Sequence, residues 1–444
     1  MATTLARRPF VGLVSLSVLI KFIVMGTMML TTRVGSFDAS SRLIVDMPSD
    51  HLTAVGERFT RWDTVYFLEI ARNGYTMEQQ TAFMPGLPWL TRQVALTFET
   101  NLLNTGIALT ALASTIATLC MYRLTLSVFD NRRLALATAL IYTVPPSWPT
   151  FHAVPYTEPF AALFTLAGML AFVHDKLVVA SLIWAVGTLF RAQGIVLGVG
   201  FFGWKLLLRT PWRHGTFRLR NLLFGAPAFV ALSSFSMSPF LAFQWYIRQQ
   251  FCPGATVQDR RPWCDKTWSL PYDYVQSHYW NVGPFRYWTT QQLPNFLLAS
   301  PVLIMSFVAS IDFYRRHWHR VVQITLPFVA CRPADAHKQL ESQSSAPTKE
   351  LLVDRITPFI HLNTALTLLL LVTAHVQIAL RICVTNPVLF WFVAERFVQS
   401  SDDMRKSHSG RSRRDAGWAI WWTTYCIVWG SVSVVLWACF LPPA

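Results

Sequence analysis

The segment VGLVSLSVLIKFIVMGTMML, residues 11–30, contains a single charged side chain, Lys21. A transmembrane helix needs about 20 consecutive, mostly apolar residues. Arg7 and Arg8 precede the segment, and no small-residue cleavage site follows it. We therefore expect residues 1–31 to form a cytoplasmic N-terminus and an uncleaved signal-anchor helix.

The rest of the chain repeats this apolar character. Hydrophobic residues make up 53% of the 444 residues and charged residues 14%, against about 25% charged in soluble domains. Apolar segments recur over residues 10–31, 104–128, 134–148, 157–174, 177–191, 193–208, 222–246, 296–313, 356–380, 386–399 and 417–439. The sequence thus predicts an all-α polytopic membrane protein with about 9–12 transmembrane helices.

The positive charge is arranged for a membrane rather than for nucleic acid. The formal net charge is +15, but the basic residues fall in short clusters between apolar segments, as the positive-inside rule describes. With the N-terminus cytoplasmic, these clusters all lie on the cytoplasmic side. The opposite side then receives the first luminal loop, residues 32–103, and a second loop, residues 247–295. Transmembrane helices 2–7 are expected over residues 104–246, and the C-terminal helices over 296–444, with a cytoplasmic linker at about 314–355.

The first of these loops carries the sequence FTRWDTVYFLEIARNGYTMEQQTAFMPGLP, residues 59–88. Asp63 lies between Arg61, Trp62 and further aromatic residues. One interpretation makes Asp63 a general base whose charge Arg61 stabilises. The other makes Asp63 the N-cap of an interfacial helix. The two roles are compatible.

Charged residues also stand at the ends of predicted spans on this side. Glu158 begins one span, where it is either a functional residue or a partner of the helix dipole. Arg191 ends another, where it either grips a lipid phosphate or extends to headgroups. His375 and Arg381 close a later span, and polar residues at that depth usually face the interior of a helix bundle.

The second loop is densely aromatic and contains two cysteines. Cys252 and Cys264 would form a disulfide in an oxidising lumen. The aromatic rings of this loop either stack against sugars or form a membrane-interface belt. They are Tyr272, Tyr274, His278, Tyr279, Trp280 and Tyr287. Arg260, Arg261 and Arg286 add phosphate-binding capacity.

Several catalytic motifs are absent from the sequence. It contains no Walker loop, GxSxG elbow, HExxH or Rossmann fingerprint, and no paired CxxC. No DxD pair lies in a predicted luminal loop, because Asp402 and Asp403 fall on the cytoplasmic side. We therefore expect no bound metal and no nucleotide-sugar donor that needs one.

Six segments together resemble the GPI mannosyltransferase 2 (PIG-V) family. They are RWDTVYFLEIARNGY with AFMPGLP (61–88), PYTEPFAALF (155–164), FRAQG (190–194), the two cysteines, SHYWNVGPFRYWTTQQLPNFLLASP (277–301) and AHVQIALR (374–381). The chain departs from the family's usual Arg-Ser-Asn-Gly at Ala192 and Gln193.

The resemblance implies a GT-C glycosyltransferase of the endoplasmic reticulum membrane with a luminal active site. It would add the second mannose, in α1,6 linkage, to a GPI anchor precursor, using dolichyl-phosphate mannose with inversion and no cofactor. Asp63 would be the catalytic base. The residues expected to bind substrate or donor are Arg61, Trp62, Glu158, Arg191, Gln193, Trp280, Asn281, Arg286 and His375.

Three alternatives stay open at this point. The first alternative is another dolichyl-phosphate-sugar transferase, acting on an N-glycan precursor or a protein. The second is a lipid transporter or flippase, for which broken helices and charges at the middle of the membrane are expected. The third is a non-catalytic subunit of a lipid-modifying complex. A small membrane-protein partner is compatible with each of these.

Overall fold

The computed structural model describes residues 7–38, 53–213, 216–253, 261–265, 270–326, 347–405 and 411–441. The N-terminal half forms α1 (Pro9–Leu30), α2 (Ala54–Phe59), α3 (Asp63–Asn73), α4 (Gly86–Thr97), α5 (Leu102–Phe129), α6 (Arg132–Tyr142), α7 (Glu158–Val173) and α8 (Leu177–Thr188). The C-terminal half forms α9 (Gly194–Leu197), α10 (Leu219–Phe251), α11 (Pro271–Trp280), α12 (Leu293–Thr325), α13 (Pro347–Thr373), α14 (Ala379–Ile382), α15 (Pro387–Arg405) and α16 (Arg411–Ala438).

Shorter elements connect these helices. Single 3₁₀ turns cover Thr31–Arg33, Glu78–Ala82, Thr290–Gln292, Val376–Ile378 and Cys383–Thr385, and π-helical segments cover Pro149–Ala153 and Gly198–Arg209. Two short strands, β1 (Trp212–Arg213) and β2 (Thr216–Phe217), pair antiparallel with Trp212 opposite Phe217. The protein is otherwise an all-α polytopic membrane protein.

Six helical segments within the described ranges are long and apolar enough to cross a membrane. They are Pro9–Arg33, Leu102–Phe129, Leu219–Phe251, Thr290–Thr325, Glu350–Thr373 and Gly417–Ala438. A seventh crossing is made if Val376–Thr385 and Pro387–Ser401, bent by 73°, are one broken span. The sequence-based figure of 9–12 also counted apolar segments that form shorter helices, such as α7 and α8. A 12-residue helix is about 18 Å long, well short of the roughly 30 Å hydrocarbon core.

Helix boundaries follow local sequence signals. The side chain of Asn101 accepts a hydrogen bond from the backbone N–H of Asn104 and so caps α5. Asn131 caps α6 in the same way through Leu134. A side-chain acceptor at this position satisfies one of the unpaired N–H groups of the first helical turn. Helices α5 and α6 therefore begin at residues 102 and 132, two residues before the apolar segments expected at 104–128 and 134–148.

Helices occupy both ends of the segment 314–355, which was expected to be a cytoplasmic linker. Helix α12 continues to Thr325 and α13 begins at Pro347, so helix covers both ends of the predicted linker. Residues 327–346 lie outside the described part of the chain. At the α12 end, Asp354 of α13 binds Arg320 of α12 through two hydrogen bonds of 2.8 Å and Arg209 through one of 2.7 Å. These ion pairs explain why the helices extend further than hydropathy alone indicates.

The largest apolar core joins the middle of the bundle. It includes Trp184, Phe201, Phe359 and Phe390, all nearly inaccessible to solvent. A smaller cluster lies at the end of the bundle where α3 and the start of α7 meet. The functional residues described next are positioned against this smaller cluster.

Polar side chains fix the break that precedes α15. The side chain of Asn386 donates to the side-chain oxygen of Asn363 in α13 and accepts from the backbone N–H of Val388. Tyr142 donates to the carbonyl oxygen of Val384 at 2.7 Å. Irregular backbone at membrane depth requires such buried partners. The segment 376–385, which carries Arg381, is therefore held inside the bundle.

Candidate active site

Asp63 begins α3 rather than capping it. The N-cap is Trp62, with φ 53° and ψ −134°, and no side chain caps this helix. The helix-cap interpretation of Asp63 is therefore wrong. A positive φ at a tryptophan is a strained conformation that costs about 1–3 kcal/mol and clusters at functional sites. Asp63 follows this turn and lines a cavity.

An ion pair holds that carboxylate. Arg381 Nη1 lies 3.0 Å from Asp63 Oδ2, and the same nitrogen donates to the Tyr156 hydroxyl at 3.2 Å. The backbone N–H of Asp63 donates to the same hydroxyl at 3.3 Å. The Asp63 side chain is 35% exposed and that of Arg381 14% exposed. The base candidate is thus oriented from one side and open to the cavity on the other.

The sequence predicts that Arg61 stabilises the Asp63 carboxylate, and this prediction is wrong. Arg61 is fully buried. Its guanidinium donates to the side-chain oxygen of Ser36 and the carbonyl oxygen of Asp38 and lies over the Phe440 ring. Arg61 therefore anchors the chain between α1 and α2, and Arg381 makes the ion pair with Asp63.

Glu158 joins the arginines of the site. Its Oε1 accepts from Arg191 Nη1 at 2.6 Å and lies 3.6 Å from Arg381 Nε. Only 2% of its side chain is exposed. A buried carboxylate with two guanidinium partners is well compensated. Glu158 thus fixes Arg191 and Arg381 relative to Asp63, and as the first residue of α7 it is also favourably placed at the helix dipole.

A cavity of about 610 Å³ opens beside Asp63. Its wall combines aromatic rings with a few polar groups, as small-molecule sites usually do. The lining residues are Trp62, Asp63, Phe67, Ala82, Phe83, Met84, Tyr156, Thr157, Phe190, Arg191, Ala192, Tyr272, Gln276, Trp280, Pro294, Asn295, Leu298, His375, Gln377, Ile378, Arg381 and Trp437. Segments distant in sequence meet there: the first loop, the ends of α8 and α11, and the chain around residue 381.

The structure brings together some of the expected substrate-binding residues. Trp62, Arg191, Trp280 and His375 line the cavity together with Asp63. His375 Nε2 donates to the Trp280 carbonyl oxygen at 2.6 Å, which assigns the proton of the neutral ring to Nε2. Burial lowers the pKa of His375 below its ordinary value of 6.5, and Arg381 lowers it further against the effect of the carbonyl. His375 is therefore neutral at neutral pH.

Besides Arg61 and Glu158, three of the expected substrate-binding residues do not line the cavity. Gln193 donates to the Ala161 carbonyl oxygen and the Thr165 hydroxyl, which joins the start of α9 to α7. Asn281 ends α11 with φ 51°, a left-handed conformation that asparagine tolerates. Arg286 is exposed beyond that turn. Gln193 and Asn281 thus shape the chain near the site.

Sequence reasoning gave no role in the site to Tyr156 and Arg381. Tyr156 stands in the PYTEP motif two residues before Glu158, and burial raises the pKa of its hydroxyl well above the ordinary value of 10.0. The hydroxyl therefore stays protonated beside Asp63. Arg381 ends the AHVQIALR motif, and its position at the end of an otherwise apolar segment is the signal that could have identified it.

The second loop is fixed next to this wall. The structure contains the Cys252–Cys264 disulfide. The neighbouring Trp263 is fully buried and donates to Glu78 Oε1 at 2.7 Å. Tyr279 donates to Glu78 Oε2 at 2.6 Å, and this bond raises the pKa of Tyr279 to about 12. Hydrogen bonds to Glu78 therefore connect both residues 261–265 of the loop and α11 to the turn at residues 78–82.

Metal binding finds no support in the geometry. In the parts of the chain that the structure describes, no three His, Cys, Asp or Glu side chains are grouped as metal ligands. The charge of a bound phosphate would instead meet arginines. The independence of the reaction from metal stays a prediction.

A family model and individual relatives of this chain are both described as mannosyltransferases. Residues 11–444 match the family model described as Mannosyltransferase (PIG-V). A GPI mannosyltransferase 2 from Cryptococcus neoformans var. neoformans serotype D is 30% identical over 429 residues, covering 92% of each chain. A GPI alpha-1,6-mannosyltransferase 2 from Cricetulus griseus is 31% identical over 392 residues, covering 78% of this chain and 74% of the relative.

Solved structures agree in fold. The oligosaccharyltransferase AglB of Archaeoglobus fulgidus, in complex with an inhibitory peptide and a dolichol-phosphate, matches with a TM-score of 0.52 at 11% identity. The apo oligosaccharyltransferase from the same organism matches with a TM-score of 0.51 at 10% identity. The match covers 98% of this chain and 56% of each archaeal chain. At this identity the similarity shows the GT-C fold alone.

Proposed function

This chain belongs to the PIG-V mannosyltransferase family, and we propose that it transfers the second mannose, in α1,6 linkage, onto a GPI anchor precursor. The names of its relatives in Cryptococcus and Cricetulus support this reaction. The observation that carries the site assignment is the Asp63 carboxylate, which faces a cavity of about 610 Å³ beside two arginines. We further propose dolichyl-phosphate mannose as the donor.

Inversion at the sugar requires one displacement and one base. The donor mannose is β-linked and the product is α-linked, so the acceptor oxygen attacks C1 opposite the phosphate. Asp63 takes the proton of the acceptor 6-hydroxyl while the new C1–O bond forms. The bond from C1 to the phosphate oxygen breaks, and its electron pair leaves with dolichyl phosphate. Arg381 and Tyr156 orient the carboxylate for this proton transfer.

The leaving phosphate needs positive charge that is already in place. Arg191 and Arg381 both line the cavity, and their planar guanidinium groups suit phosphate oxygens. Glu158 holds both arginines, so little reorganisation is needed when charge develops on the phosphate. This assignment replaces the earlier expectation for Arg286, which lies outside the cavity wall. A monophosphate leaving group paired with arginines also agrees with a reaction that needs no metal.

Aromatic rings supply the surface for the sugar. Trp62, Tyr272 and Trp280 line the cavity, and such rings bury large apolar areas while leaving polar groups for hydrogen bonds. His375, neutral and donating through Nε2, fixes the end of α11 and therefore the position of Trp280. We propose that these rings contact the mannose of the donor or of the acceptor.

The protein is a multi-span membrane protein whose family acts on lipid-linked substrates. We propose that it resides in the endoplasmic reticulum membrane with the Asp63 cavity on the luminal side. The support is the basic clusters, which the sequence places in loops on the other side. A small membrane subunit is compatible with this arrangement.

A transporter would also show a broken helix such as the 73° bend before α15.

The test is therefore whether the protein transfers mannose. Protein purified into lipid nanodiscs is given dolichyl-phosphate mannose and a mono-mannosylated GPI precursor, and the lipid product is digested with linkage-specific α-mannosidases. The proposal predicts a di-mannosylated lipid that only α1,6-specific cleavage returns to the starting acceptor. Transfer to an N-glycan precursor in its place, or lipid movement without transfer, would refute it.

A further inference from the structure

Two amide side chains on the cavity wall take no part in the reaction described above. Asn295, in the first turn of α12, and Gln377, in the 3₁₀ turn Val376–Ile378, both line the cavity that contains Asp63. The hydroxyl of Tyr287 joins them. Asn295 Nδ2 donates to this hydroxyl at 2.7 Å, and the hydroxyl donates to Gln377 Oε1 at 2.7 Å. The two amides therefore belong to one hydrogen-bonded chain at the edge of the cavity.

This chain fixes which way each amide points. Asn295 Nδ2 also donates to Gln292 Oε1 at 2.6 Å, so both of its N–H groups are used. The Tyr287 oxygen accepts from Asn295, and its own proton goes to Gln377 Oε1. The NH₂ group of Gln377 is therefore turned away from Tyr287.

One donor and one acceptor remain unused on this wall. Within the described residues, Gln377 Nε2 and Asn295 Oδ1 have no hydrogen-bond partner, and neither atom is buried from solvent. A hydroxyl group both accepts and donates a hydrogen bond, whereas a phosphate oxygen without a proton only accepts. The pair of amides is thus suited to a sugar hydroxyl.

The anchor of the Gln377 amide is rigid. Tyr287 is only 6% exposed, and its ring centroid lies 4.6 Å from that of His375. His375 is itself held by its 2.6 Å hydrogen bond to the Trp280 carbonyl oxygen. A polar group that is fixed before the ligand arrives loses little conformational freedom on binding. Gln377 is therefore a preorganised donor.

Gln377 lies beside the reacting centre. Its 3₁₀ turn runs directly into α14, and Gln377 precedes Arg381 by four residues. Residues four apart lie on the same side of a helix, with Cβ atoms about 6 Å apart, and both of these side chains line the cavity. In the proposed reaction Arg381 contacts Asp63 and meets the leaving phosphate. A sugar hydroxyl bound by Gln377 is therefore close to the carbon that reacts.

The 2-hydroxyl of the donor mannose fits this position. It is carried by the carbon next to C1, so it is the sugar hydroxyl nearest to the phosphate at Arg381. Hydrogen bonds to a 2-hydroxyl contribute to other glycosyl-transfer sites that pass through an oxocarbenium-like centre. We infer that the amide pair holds the donor mannose by its 2-hydroxyl, with Gln377 as the hydrogen-bond donor. Tyr287 is the positioning residue for Gln377. This inference rests on the proposed function and adds how the donor sugar is recognised.

The test separates the 2-hydroxyl from the rest of the sugar. Wild type, Gln377→Leu and Tyr287→Phe in nanodiscs receive the mono-mannosylated GPI precursor with dolichyl-phosphate mannose or its 2-deoxy analogue, and kcat/KM is measured for each donor. Each variant is compared with wild type on the same donor, so the different intrinsic reactivity of the two sugars cancels. Gln93→Leu is the matched control, because Gln93 is an exposed glutamine of α4 that does not line the cavity.

We expect Gln377→Leu to lower kcat/KM for the mannose donor by about 10- to 100-fold, and for the 2-deoxy donor by at most about threefold, as loss of one hydrogen bond to the 2-hydroxyl allows. Tyr287→Phe keeps the ring but releases the amide, so it should show the same dependence on the donor with a smaller loss. This variant decides the question if Gln377→Leu does not fold, which thermal unfolding shows. Gln93→Leu should match wild type on both donors.

Equal losses on both donors would overturn the inference, because Gln377 would then serve packing or the acceptor rather than the 2-hydroxyl. A wild-type value for folded Gln377→Leu on the mannose donor would overturn it as well. Either result, with wild-type transfer intact, contradicts this inference alone. Absence of wild-type transfer from both donors contradicts the proposed function.

Discussion

Replacing Arg381 with methionine tests how the catalytic carboxylate is held. The change removes the guanidinium that lies 3.0 Å from Asp63 and 3.6 Å from Glu158, and methionine keeps much of the apolar volume. Both carboxylates then lose positive charge on one side.

The expected size follows from exposure. Removing one partner of a buried ion pair costs about 3–5 kcal/mol. Asp63 is 35% exposed, so water recovers part of this loss, and Glu158 keeps its 2.6 Å contact with Arg191. We therefore expect the free energy of unfolding to fall by about 2 kcal/mol. The effect on the reaction should be larger, about 10²–10³ in kcat, because Arg381 also meets the charge of the leaving phosphate.

The assay measures both quantities on one preparation. Arg381→Met, Arg381→Lys and the control Arg33→Met are purified into nanodiscs, and thermal unfolding is recorded beside transfer kinetics. Lysine keeps the charge but not the planar fork, so it should restore stability better than kcat. If Arg381→Met is folded at the assay temperature and keeps the wild-type kcat, the role given to Arg381 is refuted.

Three further changes probe other parts of the site. Because burial lowers the pKa of His375 below 6.5, the unfolded protein takes up a proton at this residue first as the pH falls. The free energy of unfolding should therefore decline below about pH 6.5, and His375→Gln should remove that decline; thermal unfolding across a pH series measures it. Reducing the disulfide between Cys252 and Cys264, which are 12 residues apart in sequence, should cost about 3 kcal/mol and lower the melting temperature, and a double serine variant should then show no response to reductant. Gly86→Ala places a Cβ 2.7 Å from the carbonyl oxygen of Leu189 and should cost about 1–3 kcal/mol. Gly26→Ala, inside α1 with open space around it, should not lower the melting temperature, because alanine favours a helix more than glycine does.

The sequence predicts the helices better than it predicts their role as spans. Apolar segments locate the long helices, because hydropathy is a local signal, and caps such as Asn101 define where those helices begin. Hydropathy counts more spans than helix length does, because it also counts short apolar helices such as α8, whose 12 residues extend about 18 Å. The end of α12 depends on ion pairs to Asp354, which lies far along the chain.

The catalytic carboxylate was accessible to sequence reasoning and its partner was not. Asp63 stands out within RWD, but the arginine beside it follows 318 residues later. A local pattern favours the adjacent Arg61, and only the tertiary fold shows that Arg61 faces away. The helix-cap error has a similar cause, since the positive φ of Trp62 shifts the helix start by one residue.

The central claim is that Asp63 is the base of an α1,6-mannosyl transfer, and one assay tests it most directly. Asp63→Asn and wild type are expressed at matched levels in microsomes and supplied with dolichyl-phosphate mannose, a mono-mannosylated GPI precursor and EDTA. Asp130→Asn is the control, because Asp130 has a left-handed backbone that asparagine tolerates and lies outside the cavity. The account predicts di-mannosylated lipid from wild type and Asp130→Asn and none from Asp63→Asn. Equal product from Asp63→Asn would contradict it.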